Sequence, residues 1–362
     1  MKKTLSYTIP LIAGFFACVP FIYFKLTPPL SWWPLIITCA GCAGMYLLFM
    51  EINPIIKGVS LLSFISCFFS NVPYLSFNAY VAIVFCCYFY IGAIKMKSWG
   101  PTFRMLKAVL VLNLLLIAAQ FFSHDQLLNF GLTEITQFGV VGHHMQEASF
   151  IVIVSAFLIQ LHPGFLIIPV FVALFCNSTW SVLCIAIGTW IYFPSKVWRR
   201  IAFLIFIGFV VMGVITHKFE ANWSVQHYHG RMSIWKRTIE LTNERALPGW
   251  GLGTYKVIFP IKSGLPDTPV KTAHNDWLQM LFEIGYPLFI LFVGVNITTF
   301  LRLLNQYRED KIKYSRVLAG YSIIVVDMMV HFPMRMIQTV LLMLLFLAYC
   351  EMIVRRRTIH LE

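Results

Sequence analysis

Charge is what this chain has least of. Only 12% of its 362 residues are Asp, Glu, Lys or Arg, against 59% hydrophobic and 16% aromatic, and the mean hydropathy is +0.76. Soluble domains carry about twice that charged fraction, so a soluble globular protein is excluded and an integral membrane protein is implied. Acidic residues are the scarcer kind, 15 against 28 basic ones, for a net charge of +13. In a soluble protein that excess would point to nucleic acid; set between apolar runs, it reports topology instead. A disulfide framework is also lacking. The nine cysteines are odd in number and all lie inside apolar runs, so they read as small buried hydrophobes, and Cys39-x-x-Cys42 within a span carries little weight for redox or metal chemistry. No small-residue cleavage site follows Met1-Lys2-Lys3 and its apolar run, so the first run is expected to be an uncleaved helix. There is no internal repeat of solenoid length and no low-complexity tract.

What is present is a succession of apolar runs broken by short polar stretches. They predict an all-α, polytopic membrane bundle of about twelve spanning helices, near 7–24, 30–50, 56–72, 79–94, 105–122, 148–161, 164–176, 179–194, 201–216, 276–301, 317–332 and 336–354. The organisation expected is an N-terminal set of helices over 1–216, a long loop over 217–275 with an amphipathic helix, and C-terminal helices over 276–362, together one membrane domain. With both termini cytoplasmic, 18 of the 28 Lys and Arg residues fall on the cytoplasmic side, and eight of the other ten fall in the single long loop. The positive-inside bias is weakest for long loops, so this topology is consistent with the charges and puts 217–275 outside the cytoplasm.

Polar chemistry concentrates between Gly230 and Phe289. Ser233 to Glu244 reads as a helix with Ile234, Ile239 and Leu241 among charged residues, ended by Arg245-Ala246-Leu247-Pro248-Gly249. Such a helix suits the membrane–water boundary, either as an anchor or as part of a binding site. At its start Arg231, followed by Lys236 and Arg237, suits a phosphate or pyrophosphate group, because free helix amides and a two-pronged guanidinium converge there. Anionic lipid headgroups are the alternative partner for the same cations. Gly249-Trp250-Gly251-Leu252-Gly253 follows no expected strand and lies outside the cytoplasm, which argues against a dinucleotide loop and for a tight turn or a close approach of backbone to ligand, with Gly251 and Gly253 at its centre. His274 stands at the water boundary just before a spanning helix, where an imidazole can take a proton from a hydroxyl at neutral pH. Asn275 or Asp276 can cap that helix. Asp276, Gln279 and Glu283 share one face of it, and Glu283 lies about 10 Å down the axis, a depth at which a carboxylate is costly unless it faces the bundle interior or water. Gly285 and Pro287 are expected to bend the helix there. Further on, Asp327 and His331 share a face four residues apart, and Arg335 in the next short outer turn is expected to be exposed and isolated, a further cation for an anionic substrate or for lipid headgroups. Eight of the ten histidines fall on the outer side, but His227-x-His229 and its neighbours lack the spacing of a zinc site, so no metal is expected.

These residues together resemble the O-antigen ligase and polymerase family of bacterial envelope proteins. The resemblance rests on Gly230-Arg231 with Trp235, on Pro248-Gly249-Trp250-Gly251-Leu252-Gly253, and on His274-Asn275-Asp276-Trp277-Leu278-Gln279 with Glu283 and Gly285, in the family's order around a long periplasmic loop. It covers about 140 to 300. It implies an inner-membrane, inverting glycosyltransferase that takes a glycan from undecaprenyl pyrophosphate on the periplasmic face, with His274 as the base on the acceptor and Arg231 helping to hold the pyrophosphate. It implies neither cofactor, metal nor nucleic acid. By the same resemblance Gly142 to Glu147 is similar to the family's first outer loop. One departure stands out: many relatives have an arginine after a serine near 178, where this chain reads Asn177-Ser178-Thr179-Trp180, so Arg335, Lys236 or Arg237 would have to supply that charge. The acceptor stays open between a lipid A core sugar, a growing glycan and a protein Ser or Thr. The competing class is a transporter or lipid flippase, against which stand the lack of paired halves and the gathering of polar groups at the outer boundary.

Overall fold

The apolar runs fold as helices, as their length and the absence of water partners for the backbone require. The computed structural model describes residues 2–18, 33–123, 144–166, 179–192, 230–264 and 270–358, with a few positions between 197 and 208. Among the described residues there are twelve α-helices, two 3-10 turns and no strand. The helices are α1 (Lys2–Cys18), α2 (Trp33–Phe49), α3 (Pro54–Phe68), α4 (Pro73–Ile94), α5 (Gly100–Ser123), α6 (His144–Leu158), α7 (Thr179–Tyr192), α8 (Arg231–Glu244), α9 (Tyr255–Lys262), α10 (Asp276–Glu309), α11 (Lys311–Val330) and α12 (Ile337–Thr358). All but α8 and α9 overlap expected spans, while the expected spans 164–176 and 201–216 lie largely outside the described residues. Four helices are long and apolar enough to cross a membrane, within Pro73–Ile94, Gly100–Ala119, Asp276–Glu309 and Ile337–Val354, and five shorter ones are apolar. The loop helix expected from Ser233 begins at Arg231, and α9 is an addition.

By packing the chain divides into two units, each assembled from separate stretches: Met1–Leu26, Gly92–Ile215 and Thr298–Glu362 in one, Thr27–Ile91 and Thr216–Ile297 in the other. In the first unit α6 is the core. Phe150 through Leu158 are buried on every face, as a helix apolar all round must be. α11 approaches α6 closely at Gly320, where a Cβ would stand 2.7 Å from the Ala156 carbonyl oxygen. Small residues permit such approaches between membrane helices, which have no hydrophobic effect to drive them together. Phe157 and Phe346 meet edge to face at 5.0 Å above the same contact.

Besides a cluster of Leu47, Ile56, Cys87 and Ile91, the second unit has two cores. In one, Phe64, Phe77 and Tyr80 of α3 and α4 pack with Cys67 and Ala40. α3 starts cleanly because Asn53 accepts from the Ile55 amide at 2.9 Å and Pro54 occupies the first helical position, where no amide is needed. The other core belongs to the loop: Ile234 and Leu241 of α8, Trp250, Tyr255 and Phe259 of α9, and Phe282 of α10. Tyr255 stacks on Phe259 at 4.7 Å and meets Phe282 edge-on at 5.0 Å. The buried stripe of α8 is Arg231, Ile234, Thr238, Leu241 and Thr242. Ile239, counted with the apolar face in the sequence, is instead 41% exposed.

Candidate functional site

The glycine-rich loop is built against a break in α10. Gly285 has φ +71°, ψ 175°, so its residue interrupts the helical hydrogen bonding, as the sequence predicted for this position. The loop fills the gap. Trp250 and Gly251 donate from their backbone amides to the carbonyls of Phe282 and Glu283, at 3.0 and 2.8 Å, and Tyr286 donates back to Ala246 at 3.0 Å. A Cβ on Gly249 would fall 2.4 Å from the Gly285 nitrogen, and one on Gly285 would fall 2.7 Å from the Ala246 oxygen, so neither position admits a side chain. On its other side the loop rests on the turn before α4, where Ser76 donates to the Leu252 carbonyl at 2.9 Å. The glycines thus bring two backbones into contact, the turn reading of the sequence.

Glu283 locks this contact. It is 1% exposed, and its carboxylate accepts from the Gly253 amide at 2.9 Å and from the Gln279 side-chain amide at 3.2 Å. Burial of the carboxyl group is tolerated because both of its oxygens are hydrogen-bonded. Gln279 in turn accepts from the Ala273 amide at 3.2 Å through its carbonyl oxygen. The Ala273 carbonyl accepts from the Trp235 indole of α8 at 2.8 Å. Ala273 is therefore held at both its N–H and its C=O, and the next residue is His274.

His274 has φ +50°, the one left-handed residue other than glycine among those described. A side chain in that region costs about 1–2 kcal/mol, and such residues cluster where function demands an orientation. The imidazole-bearing residue is half-buried, whereas Asn275, Asp276 and Gln279 beyond it are buried. Asn275 caps α10, its Oδ1 accepting from the Leu278 amide at 3.1 Å.

The cations differ sharply. Arg231 opens α8 and is 7% exposed. Burial lowers its pKa to about 10, so it stays protonated at neutral pH. It precedes Trp235 by four residues and so shares the face of α8 that touches the His274 segment through the indole. Lys236 is exposed. Arg237 donates to the carbonyls of Lys262 and Ser263 at 2.8 and 3.1 Å and pairs with Glu240 at 3.0 Å. Its guanidinium serves the carboxyl end of α9, where orphan carbonyls and the helix dipole favour a cation. Sequence reasoning missed α9 because eight residues with an internal proline, Pro260, make too short a periodic pattern.

The first unit holds the remaining residues. His331 donates or accepts at Nδ1 with Asp327 Oδ1 over 2.7 Å, and Ser149 donates to the other carboxylate oxygen. Both partners of the pair are buried. The shared face expected from their spacing is present. Arg335 lies in a 3-10 turn, Pro333–Arg335, held by Thr339 donating to the Pro333 carbonyl. It is half-buried, not exposed and isolated as expected, because the turn folds down between the ends of α11 and α12. His124, His143, His217, His227, His229, Gly142 and the Asn177-Ser178 departure lie outside the described residues.

Among the described residues, helices alone with several of membrane length and apolar character define a multi-pass membrane protein. Residues 164–293 match the family described as O-antigen ligase, a stretch that includes Arg231, the glycine loop, His274 and Glu283. Over that stretch the chain is similar to the O-antigen ligase family. No curated protein matches it.

Proposed function

We propose that the protein transfers a glycan from undecaprenyl pyrophosphate to an acceptor hydroxyl on the periplasmic face of the bacterial inner membrane, in the manner of an O-antigen ligase, with both termini cytoplasmic. His274 takes the proton of the acceptor hydroxyl as its oxygen attacks the anomeric carbon. The bond from that carbon to the pyrophosphate oxygen breaks with its electron pair, which leaves on the pyrophosphate, and the anomeric centre inverts. A pyrophosphate is a good leaving group, so the step calls for no metal. Arg231 faces the developing charge, and its partly desolvated guanidinium interacts with an anion more strongly than one in water; exposed Lys236 is a further cation of the same helix. Arg237 already serves the end of α9. Asn275, Asp276, Glu283, Gly251 and Gly253 support the site.

The observation that carries this reading is the left-handed His274, pinned through Ala273 to the α8 face that begins with Arg231. Members of the family include ligases and polymerases, and the acceptor is a lipid A core sugar, a growing glycan or a protein hydroxyl. The test is reconstitution in vesicles with an undecaprenyl-pyrophosphate glycan and each acceptor class, with chelator present. His274→Ala is expected to cut transfer about 10²–10⁴-fold, the contribution of general-base catalysis. Transfer at the wild-type rate in that variant would remove His274 from the mechanism.

A further inference from the structure

The glycosyl-transfer reading assigns a base but not what aims it. We propose that Gln279 is the positioning residue for His274, acting with Trp235 as the two jaws of a clamp on Ala273. This rests on the proposed role of His274.

The residue before the base is gripped from opposite sides by two side chains. Gln279, one turn into α10, takes the Ala273 N–H at 3.2 Å, and Trp235, one turn into α8, donates to the Ala273 C=O at 2.8 Å. That carbonyl belongs to the peptide bond leading into His274. Fixing its plane fixes the starting point of the His274 φ rotation, which stands at +50°. The two jaws are not independent of the rest of the site. Gln279 can present its carbonyl to Ala273 only because its amide end is turned toward Glu283, at 3.2 Å, and Glu283 is anchored by the Gly253 amide at 2.9 Å. The glycine loop, the break in α10 and the helix that carries Arg231 therefore converge on one residue. Ordinary helix capping here is already performed by Asn275.

The chemistry follows from geometry. Without the Gln279 carbonyl, Ala273 keeps one tether and His274 can relax toward ordinary backbone angles, swinging the imidazole away from the acceptor. Misplacement by about 1 Å costs on the order of 100-fold in a reaction that depends on alignment. Binding of the lipid-linked donor, which uses other groups, is spared.

The experiment uses the full-length protein in vesicles with an undecaprenyl-pyrophosphate glycan and an acceptor that supports wild-type transfer. Gln279→Met keeps the shape and removes both hydrogen bonds; Trp235→Phe keeps an aromatic ring in the core and removes the indole donor. Each is expected to lower kcat about 10–100-fold with the donor KM within about 2-fold. The double variant should fall less than the product of the two, since both act on the backbone of one residue. A second readout needs no turnover: the rate at which diethyl pyrocarbonate modifies the peptide carrying His274, followed by mass spectrometry, should change several-fold in either variant while that of His162 does not. Unchanged kcat together with unchanged His274 modification would overturn the clamp, as would a donor KM that rises in step with the loss of kcat. Should Gln279→Met not fold, Trp235→Phe decides alone. If His274→Ala retains full transfer, the base assignment fails on its own, and the modification rate still judges whether Gln279 and Trp235 orient His274.

Discussion

Two histidines mark two kinds of polar site in this protein. His331, in the first unit, is 1% exposed and bonded to Asp327, which also receives the Ser149 hydroxyl. Its ring is occupied, and it sits where regular helix α11 ends. His274, in the second unit, is half-buried, and the effort of the surrounding structure goes into its backbone, which is held left-handed. A histidine closed on a carboxylate is a structural group or a relay within the fold. One whose main chain is clamped while its residue stays partly open can meet a ligand from outside. The two histidines thus differ in burial and in what holds them, a difference that spacing alone did not reveal.

Substitution should widen the contrast. The largest effect on stability is expected at Asp327→Ala, which leaves His331 and Ser149 buried without their acceptor and should cost about 3–5 kcal/mol, read from thermal unfolding in detergent. A loss under about 1 kcal/mol would mean that the His331 cluster is wet and open, and the distinction between the two sites would be broken. Next comes Gly249→Ala, whose Cβ would press on the Gly285 nitrogen. It should cost about 3 kcal/mol and slow transfer with it, because the loop can no longer dock on the broken helix. Wild-type stability there would show that the loop and α10 are not locked together. The smallest and most pointed is His274→Gly. Removing a side chain from a left-handed residue is expected to raise stability by about 1 kcal/mol while abolishing transfer, the opposite of the Asp327 result. A clear loss of stability would make His274 a packing residue.

Much of the candidate site was legible before any coordinates. Proline and glycine at 248–253 and glycine at 285 announced a turn and a bend, and Gly249, Gly251 and Gly285 are found where a side chain could not fit. The Asp276, Gln279, Glu283 stripe was legible from helical spacing, and all three are buried. What spacing could not show was that Glu283 faces a backbone amide of the glycine loop 30 residues earlier. Nor could it show that Arg237 would be taken up by α9, because that helix is too short to leave a periodic trace. Ile239 looked like a core position by type, yet the stripe that packs passes through Thr238 and Leu241 instead, since a hydroxyl bonded back to its own helix, as Thr238 is to Ile234 at 2.7 Å, is cheap to bury.

Sequence by itself determined the class of protein, because hydrophobicity and helix period are local properties that oil and backbone hydrogen bonding convert directly into spanning helices. It also determined where the chain must break, because glycine and proline act on their own dihedrals. Only the tertiary structure decided which side chains grip which peptides: that Trp235 and Gln279 meet at Ala273, and that Asp327 closes on His331 and Ser149. Trp235 and Ala273 stand 38 residues apart and Ser149 and Asp327 178 apart, and even for nearer pairs a hydrogen bond that requires an alignment within a few tenths of an ångström leaves no mark on composition.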